Sequence, residues 1–459
     1  ASLFPNYQVP EIVKTWPAHG NVSLGQDYYL APFYDFNDDG HYDWRDGDYP
    51  WYDIKQDKQC NVDRDVSLYG DKNFWWVMND KGNIHTETGA DPIGMEIRAQ
   101  AFAFASNDEV NNMTFYNYVL INRGTQTLYN TYFGFFTDGA LGDPYDDYVG
   151  CDVMRGLGYY YNGDNFDGDN SGYKGYGYSP PAVGVDFFEG PYQDDDGIDN
   201  AYGIGLNEAL NGIGYGDGII DNERFGMRRF LYYSNTTNGA NINQTDPIAA
   251  SDYYNYLKGY WKDGTKFVYG GSGHISDPEA DPNTPCDFMF PGTSDFMGWG
   301  TGGIVKPNWT EQTANNTPND RRFVESAGPF VLKPGAVNNI TVGVVWARSN
   351  GGDPFTSVES LRRADDKAQA LFENCFKVMD APHAPNLEIQ ELNNELILYL
   401  SNPINSNNYQ EKYQENDPFI VSTNPNADKT FRFQGYQIFQ LANNQVALSD
   451  LSNPLKSRL

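Results

Sequence analysis

The chain of 459 residues carries 62 acidic against 31 basic side chains, a formal net charge of -31. Such a surface repels phosphate backbones and anionic headgroups, which sets aside nucleic acid and lipid surfaces as partners. With 34 Tyr, 28 Phe and 9 Trp the chain is too aromatic for disorder, and no apolar run approaches the ~20 residues that span a bilayer.

Ala1-Ser2-Leu3-Phe4-Pro5 lacks the basic and apolar regions of a signal peptide, so an exported protein is expected to start here at a processed end. The first strong motif is Asp35-Phe-Asn-Asp-Asp-Gly-His-Tyr-Asp-Trp-Arg-Asp46. Oxygen side chains fall at loop positions 1, 3, 5, 9 and 12 (Asp35, Asn37, Asp39, Asp43, Asp46), with Gly40 at position 6. Hard cations take six to eight oxygens, and His41 at position 7 is expected to lend its backbone carbonyl. Asp rather than Glu at position 12 is the pattern of dockerin-type and thrombospondin-type loops.

Strand signals follow. Phe74 to Met78 is a short apolar run stopped by Asn79-Asp80-Lys81-Gly82. Met95 to Ala105, Met113 to Asn122 and Leu128 to Phe136 alternate with period two and read as an antiparallel meander. From Gly139 to Asn222 the chain is rich in Gly, Asp, Asn and Tyr, which reads as a long loop region that bound cations would have to order.

Four acidic clusters lie in that region. The first runs from Asp138 through Asp143, Asp146 and Asp147 to Asp152, directly after a strand. The second holds Asp164, Asp167 and Asp169; the third is Asp194-Asp195-Asp196-Gly197-Ile198-Asp199. The fourth, Asp217-Gly-Ile-Ile-Asp221-Asn222-Glu223, matches the second half of a calcium loop, and the third and fourth are expected to cooperate. Their candidate ligands are Asp138, Asp143, Asp146, Asp147, Asp152, Asp167, Asp169, Asp194, Asp196, Asp199, Asp217, Asp221 and Glu223.

Asn235 to Pro285 is a second weakly structured stretch. Ile340 to Ala347 is expected to be a central strand, and Pro354 to Met379 the main helix, with Ser357 as its N-cap. After the linker Ala381-Pro382-His383-Ala384-Pro385, the runs Leu387–Ile389, Glu395–Leu400 and Phe431–Leu441 resemble the first three strands of a fibronectin type III sandwich. About seven strands are needed, so an incomplete segment within a longer polypeptide is expected.

The histidines are scattered without zinc spacing, and Gly-x-Ser-x-Gly and phosphate-loop motifs are absent from the sequence. Paired carboxylates among aromatics permit glycosidase chemistry, but the acids come in threes and fours beside glycine, as cation ligands do. Tyr159-Tyr160-Tyr161 and the Tyr173–Tyr178 stretch are either a sugar-stacking surface or loop packing. Cys60, Cys151, Cys286 and Cys375 allow two disulfides or four buried thiols.

Several phrases together resemble one family. They are Trp16-Pro-Ala-His-Gly20, the Asp35 loop ending in Gly47-Asp48-Tyr49-Pro50, and Tyr69-Gly-Asp-Lys-Asn-Phe-Trp-Trp-Val-Met-Asn-Asp80. Asp146–Asp152, Gly216–Glu223 and Ala364–Phe376 belong with them. They are similar to the N-terminal regions of large cell-surface proteins exported by the type IX secretion system of gliding-type Gram-negative bacteria. The resemblance implies an extracellular, cell-surface location and the type IX secretion and attachment machinery as partners.

The expectation is a mainly β fold: an antiparallel β-sandwich with long calcium-ordered loops and one main helix over residues 1–380. A partial fibronectin type III-like β-sandwich over 381–459 follows. The expected function is a secreted, calcium-stabilised structural or adhesive surface protein holding several Ca2+ ions. Glycans or other surface proteins are its expected partners, without membrane insertion. The alternatives are a polysaccharide-active enzyme and a non-catalytic glycan-binding module.

Overall fold

Long antiparallel strands build the core of the larger of two units, Ala1–Phe372 and Glu373–Leu459. The computed structural model describes the chain apart from residues 1–7, 25, 27, 32, 51–68, 83, 107–108, 194, 206–207, 236–240, 375, 377–381, 417–427, 444–445, 447–456 and 459. The long strands of the first unit are β1 (Lys72–Asn79), β2 (Met95–Ala103), β3 (Met113–Asn122), β4 (Leu128–Asp138) and β5 (Asp147–Asp152). They continue as β6 (Leu157–Asn162), β7 (Ala182–Glu189), β8 (Arg229–Ser234), β9 (Arg321–Leu332) and β10 (Val337–Ala347).

One antiparallel sheet has the order β1-β2-β3-β10-β7-β6-β5, and a second has β8-β9-β4. Rings between the two form the core: Tyr160 lies 4.9 Å from Phe323, Tyr118 5.7 Å from Phe133, and Phe133 6.0 Å from Phe187. The fold is thus mainly β, a layered antiparallel arrangement with one main helix. That helix, α2 (Pro354–Glu373), covers the other face of the large sheet, where Phe355 meets Tyr161 at 5.7 Å and Phe372 meets Phe188 at 5.9 Å. Among the described residues no helix is long and apolar enough to cross a membrane.

Met95–Ala103 and Met113–Asn122 lie where alternation places strands, the first ending two residues early, and the apolar run Ile340–Ala347 lies in β10, the fourth of seven. Other expectations are corrected. The Leu128 run does not continue the meander: it crosses to the second sheet, pairing Phe133 with Ala327 and Phe136 with Val324. The region from Gly139 to Asn222 is not one long loop, since β5, β6 and β7 run through it with nearly every residue buried. Tyr159, Tyr160 and Tyr161 are all core residues, at most 1% exposed.

Helix α2 stops at Glu373, short of Met379. Ser357 lies inside it, buried, donating from Oγ to the Pro180 carbonyl at 2.7 Å. The capping acceptor is Asp353, whose Oδ1 receives the Thr356 N–H at 3.0 Å. The weakly patterned stretch after Asn235 contains helix α1 (Ala250–Lys258) and the buried Trp261 and Phe267.

The second unit starts at Glu373, ahead of the expected linker. Asn386–Glu391 and Leu396–Ser401 pair as an antiparallel hairpin, as the first two strands of the expected sandwich would. The third run is broken into Thr430–Arg432 and Gln440–Leu441, with Gly435 between them at φ 143°.

Glycines in the large sheet are spacers for rings. At Gly343 an added Cβ would overlap the buried Phe188 ring, which Phe115 and Phe372 hold in place. Gly343→Ala is therefore expected to lower stability by about 1–3 kcal/mol through overpacking. Urea unfolding with an unchanged m-value measures it, and an unaltered midpoint would contradict the packing.

Candidate metal centres

The Asp35 loop springs from a two-residue ladder in which Phe33 faces Pro50 and Tyr34 faces Tyr49. Asp35 Oδ2 accepts the Gly40 N–H at 2.6 Å and Oδ1 that of Asp39 at 3.2 Å. Asp39 Oδ1 in turn accepts the His41 N–H at 2.7 Å, and Asn37 bonds to Asp39 at 2.9 Å. Gly40 has φ 74°, the left-handed turn that glycine takes without strain. Asp35, Asn37 and Asp39 therefore share one inward-curled turn.

The far half differs from expectation. Asp43 is engaged by Arg45, and Asp46 is exposed, its N–H closing a turn on the Asp43 carbonyl. The inward carboxylate is instead Asp48, buried, accepting the N–H groups of Phe36 at 2.9 Å and Asp43 at 2.8 Å. His41 presents its ring to His19, stacked at 5.0 Å. The phase of the loop motif pointed to Asp46; Asp48 stood in the sequence only within the Gly47-Asp48-Tyr49-Pro50 phrase that ends the loop.

A second group gathers beside the β4–β5 connection. Asp143 accepts the Tyr145 N–H at 3.1 Å and the Asn170 side-chain amide at 2.9 Å. Asp167, 1% exposed, accepts the N–H groups of Asp143 at 3.0 Å and Tyr176 at 2.8 Å. Gly142 leaves the space that the Asp167 carboxylate fills. Asp147 is fully buried; its Oδ2 accepts the Leu141 N–H at 3.1 Å, while its Oδ1 and the Asp146 Oδ1 are buried without a hydrogen-bond partner.

These acids destabilise one another's charged forms. Burial, then Asp143, Asp167 and Asp164, push the Asp146 carboxyl up to about 7. Burial lifts Asp147 well above the carboxylate range; the Leu141 N–H opposes that and the charges of Asp146, Asp167 and Asp143 add to it. The expected first and second clusters thus meet here through Asp143, Asp146, Asp147 and Asp167. Other members fall elsewhere because a base already holds them. Asp138 pairs with Arg322 at 2.9 Å, Asp152 with Arg155 at 3.1 Å and Arg362 at 2.8 Å, and Asp169 with Lys174.

The third and fourth clusters interlock. Asp199 accepts the N–H groups of Gly216 and Gly218, both at 2.8 Å, and Asp221 accepts that of Gly197 at 2.8 Å. Glu223, buried, accepts the Asn200 N–H. Asp196 and Asp217 each cap their own turn, over Ile198 and Ile219. Asp194 lies outside the described residues. Two Asp-Gly-Ile turns thus clasp each other through carboxylate-to-glycine bonds.

Among the described residues no three His, Cys, Asp or Glu side chains already enclose a common point as a finished metal site. In the Asp143 group the polar atoms are carboxylate oxygens, and two buried ones, Asp146 Oδ1 and Asp147 Oδ1, lack a hydrogen-bond partner. Cys151 and Cys286 are buried thiols; Cys60 and Cys375 lie outside the described residues. No family model and no curated protein matches the chain.

A further acid cluster carried no motif. Asp186 on β7, Asp365 on α2 and Glu325 on β9 are at most 1% exposed. Burial raises Asp186 well above its usual range, aided by Asp365, Glu325 and Asp152. Asp365 is raised chiefly by burial too, and a side-chain hydrogen bond joins it to Asp186. Glu325 rests over Gly158, whose backbone offsets only part of its burial. The charges nearby are Asp152, Asp366, Arg155 and Arg362, so the cations face acids of their own. The folded state keeps protons that the unfolded chain releases above about pH 4. Stability from this cluster is full below that pH and falls as pH rises toward the raised folded values. Asp186→Asn removes one such proton, so its stability relative to wild type should climb as pH rises above about 4, by at most about 1.4 kcal/mol per pH unit. Parallel pH profiles of denaturation midpoints would sink this reading.

Proposed function

We propose that this chain is a calcium-stabilised, β-rich scaffold of the cell surface, with a structural or adhesive role. The observation that carries the proposal is the Asp143–Asp146–Asp147–Asp167 group, where buried carboxylates repel one another and two oxygens stand unpartnered. A divalent ion there would neutralise the repulsion and join the β4–β5 connection to the loop carrying Asp167. The Asp35 turn and the clasped Asp199 and Asp221 turns supply further oxygen-lined sites of the same kind. Extracellular calcium near millimolar would fill sites with dissociation constants of ~10⁻⁴–10⁻³ M. Export through type IX secretion and attachment at the surface rest on the sequence resemblance.

A glycan-binding role is a second reading, favoured by one observation. Phe166 and Tyr178 are exposed and meet edge to face at 4.8 Å, and Tyr173 and Tyr176 are exposed beside them in sequence. Rings presented to water offer stacking faces for sugars. Binding without products would mark the module, and turnover would mark a polysaccharide-active enzyme.

Each ion held at ten times its dissociation constant adds about 1.4 kcal/mol to folding stability. Melting in millimolar calcium should therefore exceed melting in chelator, and bound calcium should be stoichiometric by elemental analysis. In Asp146→Asn/Asp147→Asn the chelator melting temperature should rise, because the repulsion is gone, while the calcium increment shrinks and one ion is lost. Identical melting of the wild-type protein in calcium and in chelator would end the proposal.

A further inference from the structure

Outside the acidic loops, one constellation in the stretch between α1 and β9 has no part in holding a cation. His274 is 4% exposed, and its two ring nitrogens face different partners. Nε2 lies 3.0 Å from Asp263 Oδ2, and Nδ1 lies 2.7 Å from the Oγ of Ser276, whose side chain reaches solvent. The Asp263 carboxylate only accepts, so Nε2 carries the ring proton, and the Nδ1 lone pair faces the serine hydroxyl together with the Ser276 N–H and the Asn241 side-chain amide, both at 3.1 Å. Asp263 is itself fixed by four donors: the Thr265 N–H at 2.9 Å, the Thr265 hydroxyl at 2.7 Å, the Asn243 amide at 2.9 Å and the histidine. Its pKa is lowered, because these hydrogen bonds outweigh a burial that acts the other way.

We propose that Ser276, His274 and Asp263 form an acyl-transfer site, with Ser276 as nucleophile, His274 as general base and Asp263 as the positioning residue. This goes beyond the scaffold reading and does not depend on it. Such a triad is recognised by roles and geometry rather than by chain order or flanking motif. Here Nδ1 faces the serine and Nε2 the carboxylate, and either imidazole nitrogen serves as the base when the other holds the proton. A serine that merely caps a turn needs its own N–H on the ring, which Ser276 has at 3.1 Å. It has no need of a carboxylate on the far nitrogen. Nor does it need a third polar group at the hydroxyl, and the Asn241 side-chain amide stands 3.2 Å from Ser276 Oγ.

The reaction balances with an ester and water alone. Ser276 Oγ attacks the carbonyl carbon as its proton passes to His274 Nδ1, and the carbonyl π electrons move onto its oxygen. The tetrahedral adduct collapses, the C–O bond to the alcohol breaks, and the alcohol leaves with the proton from Nδ1. Water then attacks the acyl-serine, giving its proton to Nδ1; the carboxylic acid departs and the serine recovers its proton. With Ser276 open to solvent and the carboxylates of Asp263 and Asp277 close by in sequence, the suited substrates are uncharged O-acyl esters. Anionic acyl donors are disfavoured.

A fluorophosphonate probe tests the nucleophile in the intact chain. The Oγ–P bond forms as fluoride leaves, and intact mass with peptide mapping locates the adduct. Stoichiometric labelling at Ser276 is expected, absent in Ser276→Ala, with p-nitrophenyl acetate hydrolysis reduced at least about tenfold in that variant. Because the side chain is exposed, Ser276→Ala should melt as the wild type does. Asp263→Asn should slow labelling at the unchanged serine, a change that a purely structural turn would not produce. An unlabelled Ser276 in folded protein, or equal hydrolysis by Ser276→Ala, overturns the proposal.

Discussion

A carboxylate taken out of water must meet a cation, a set of N–H donors or a proton, and this fold removes many of them. Acids outnumber bases two to one, so ion pairs serve only some. Glu311, fully buried, is met by Arg321 at 2.9 Å and by the Val149 N–H at 2.9 Å. Glu189 is met by the equally buried Arg224 at 2.9 Å. A second set turns to the backbone: Asp80 gathers the N–H groups of Ile93, Gly94 and Met95, and Asp48 closes the first acidic loop the same way. Among the described residues, the Asp146–Asp147 group and the Asp186–Asp365–Glu325 group are left with buried oxygens that neither meets. In the first, Asp146 is only half-buried, whereas all three acids of the second, drawn from both sheets and the helix, are at most 1% exposed and raised toward their protonated forms. Position relative to solvent separates the two outcomes.

Glycine and tyrosine make this distribution feasible. Gly139 and Gly150 leave room for the rings of Tyr160 and Tyr159, and Gly142 leaves room for Asp167. Tyr160 fills the space between the sheets while its hydroxyl donates to the Thr137 carbonyl at 2.9 Å, so a polar group enters the core already satisfied. Elsewhere the same glycines expose N–H groups to carboxylates, as Gly216 and Gly218 do for Asp199. One composition therefore builds both the core strands and the acid-lined turns.

That double use explains what was legible in the chain. β2 and β3 follow a period-two pattern, β10 contains a nearly all-apolar run, and α2 follows a helical period, so these patterns identify them. β5, β6 and β7 lie in a stretch whose Gly, Tyr and Asp content matches turns; their burial depends on partners far along the chain, which no local pattern encodes. The pairing of the third and fourth acidic clusters could be foreseen because each supplies half a loop. The meeting of Asp143 with Asp167 could not, since it arises only when the β4–β5 connection and the loop after β6 are brought together. Asp186, Asp365 and Glu325 stand on three elements with no motif, and Asp263, His274 and Ser276 are joined by a loop that follows neither period.

The degree to which a carboxylate is satisfied is also what separates one chemical role from another. Asp263 receives four donors, so it stays ionised and still, and a histidine hydrogen-bonded to it inherits a fixed tautomer and direction. Asp146 and Asp147 are short of donors, so their oxygens retain the capacity that a hard cation demands. Exchanging these environments would remove both proposed roles: an under-satisfied Asp263 would take up a proton and release the imidazole, and a fully satisfied Asp147 would offer no unpartnered oxygen. Donor count at each buried oxygen therefore sets the chemistry open to that site, and the strongly acidic composition states only how many such sites the chain can supply.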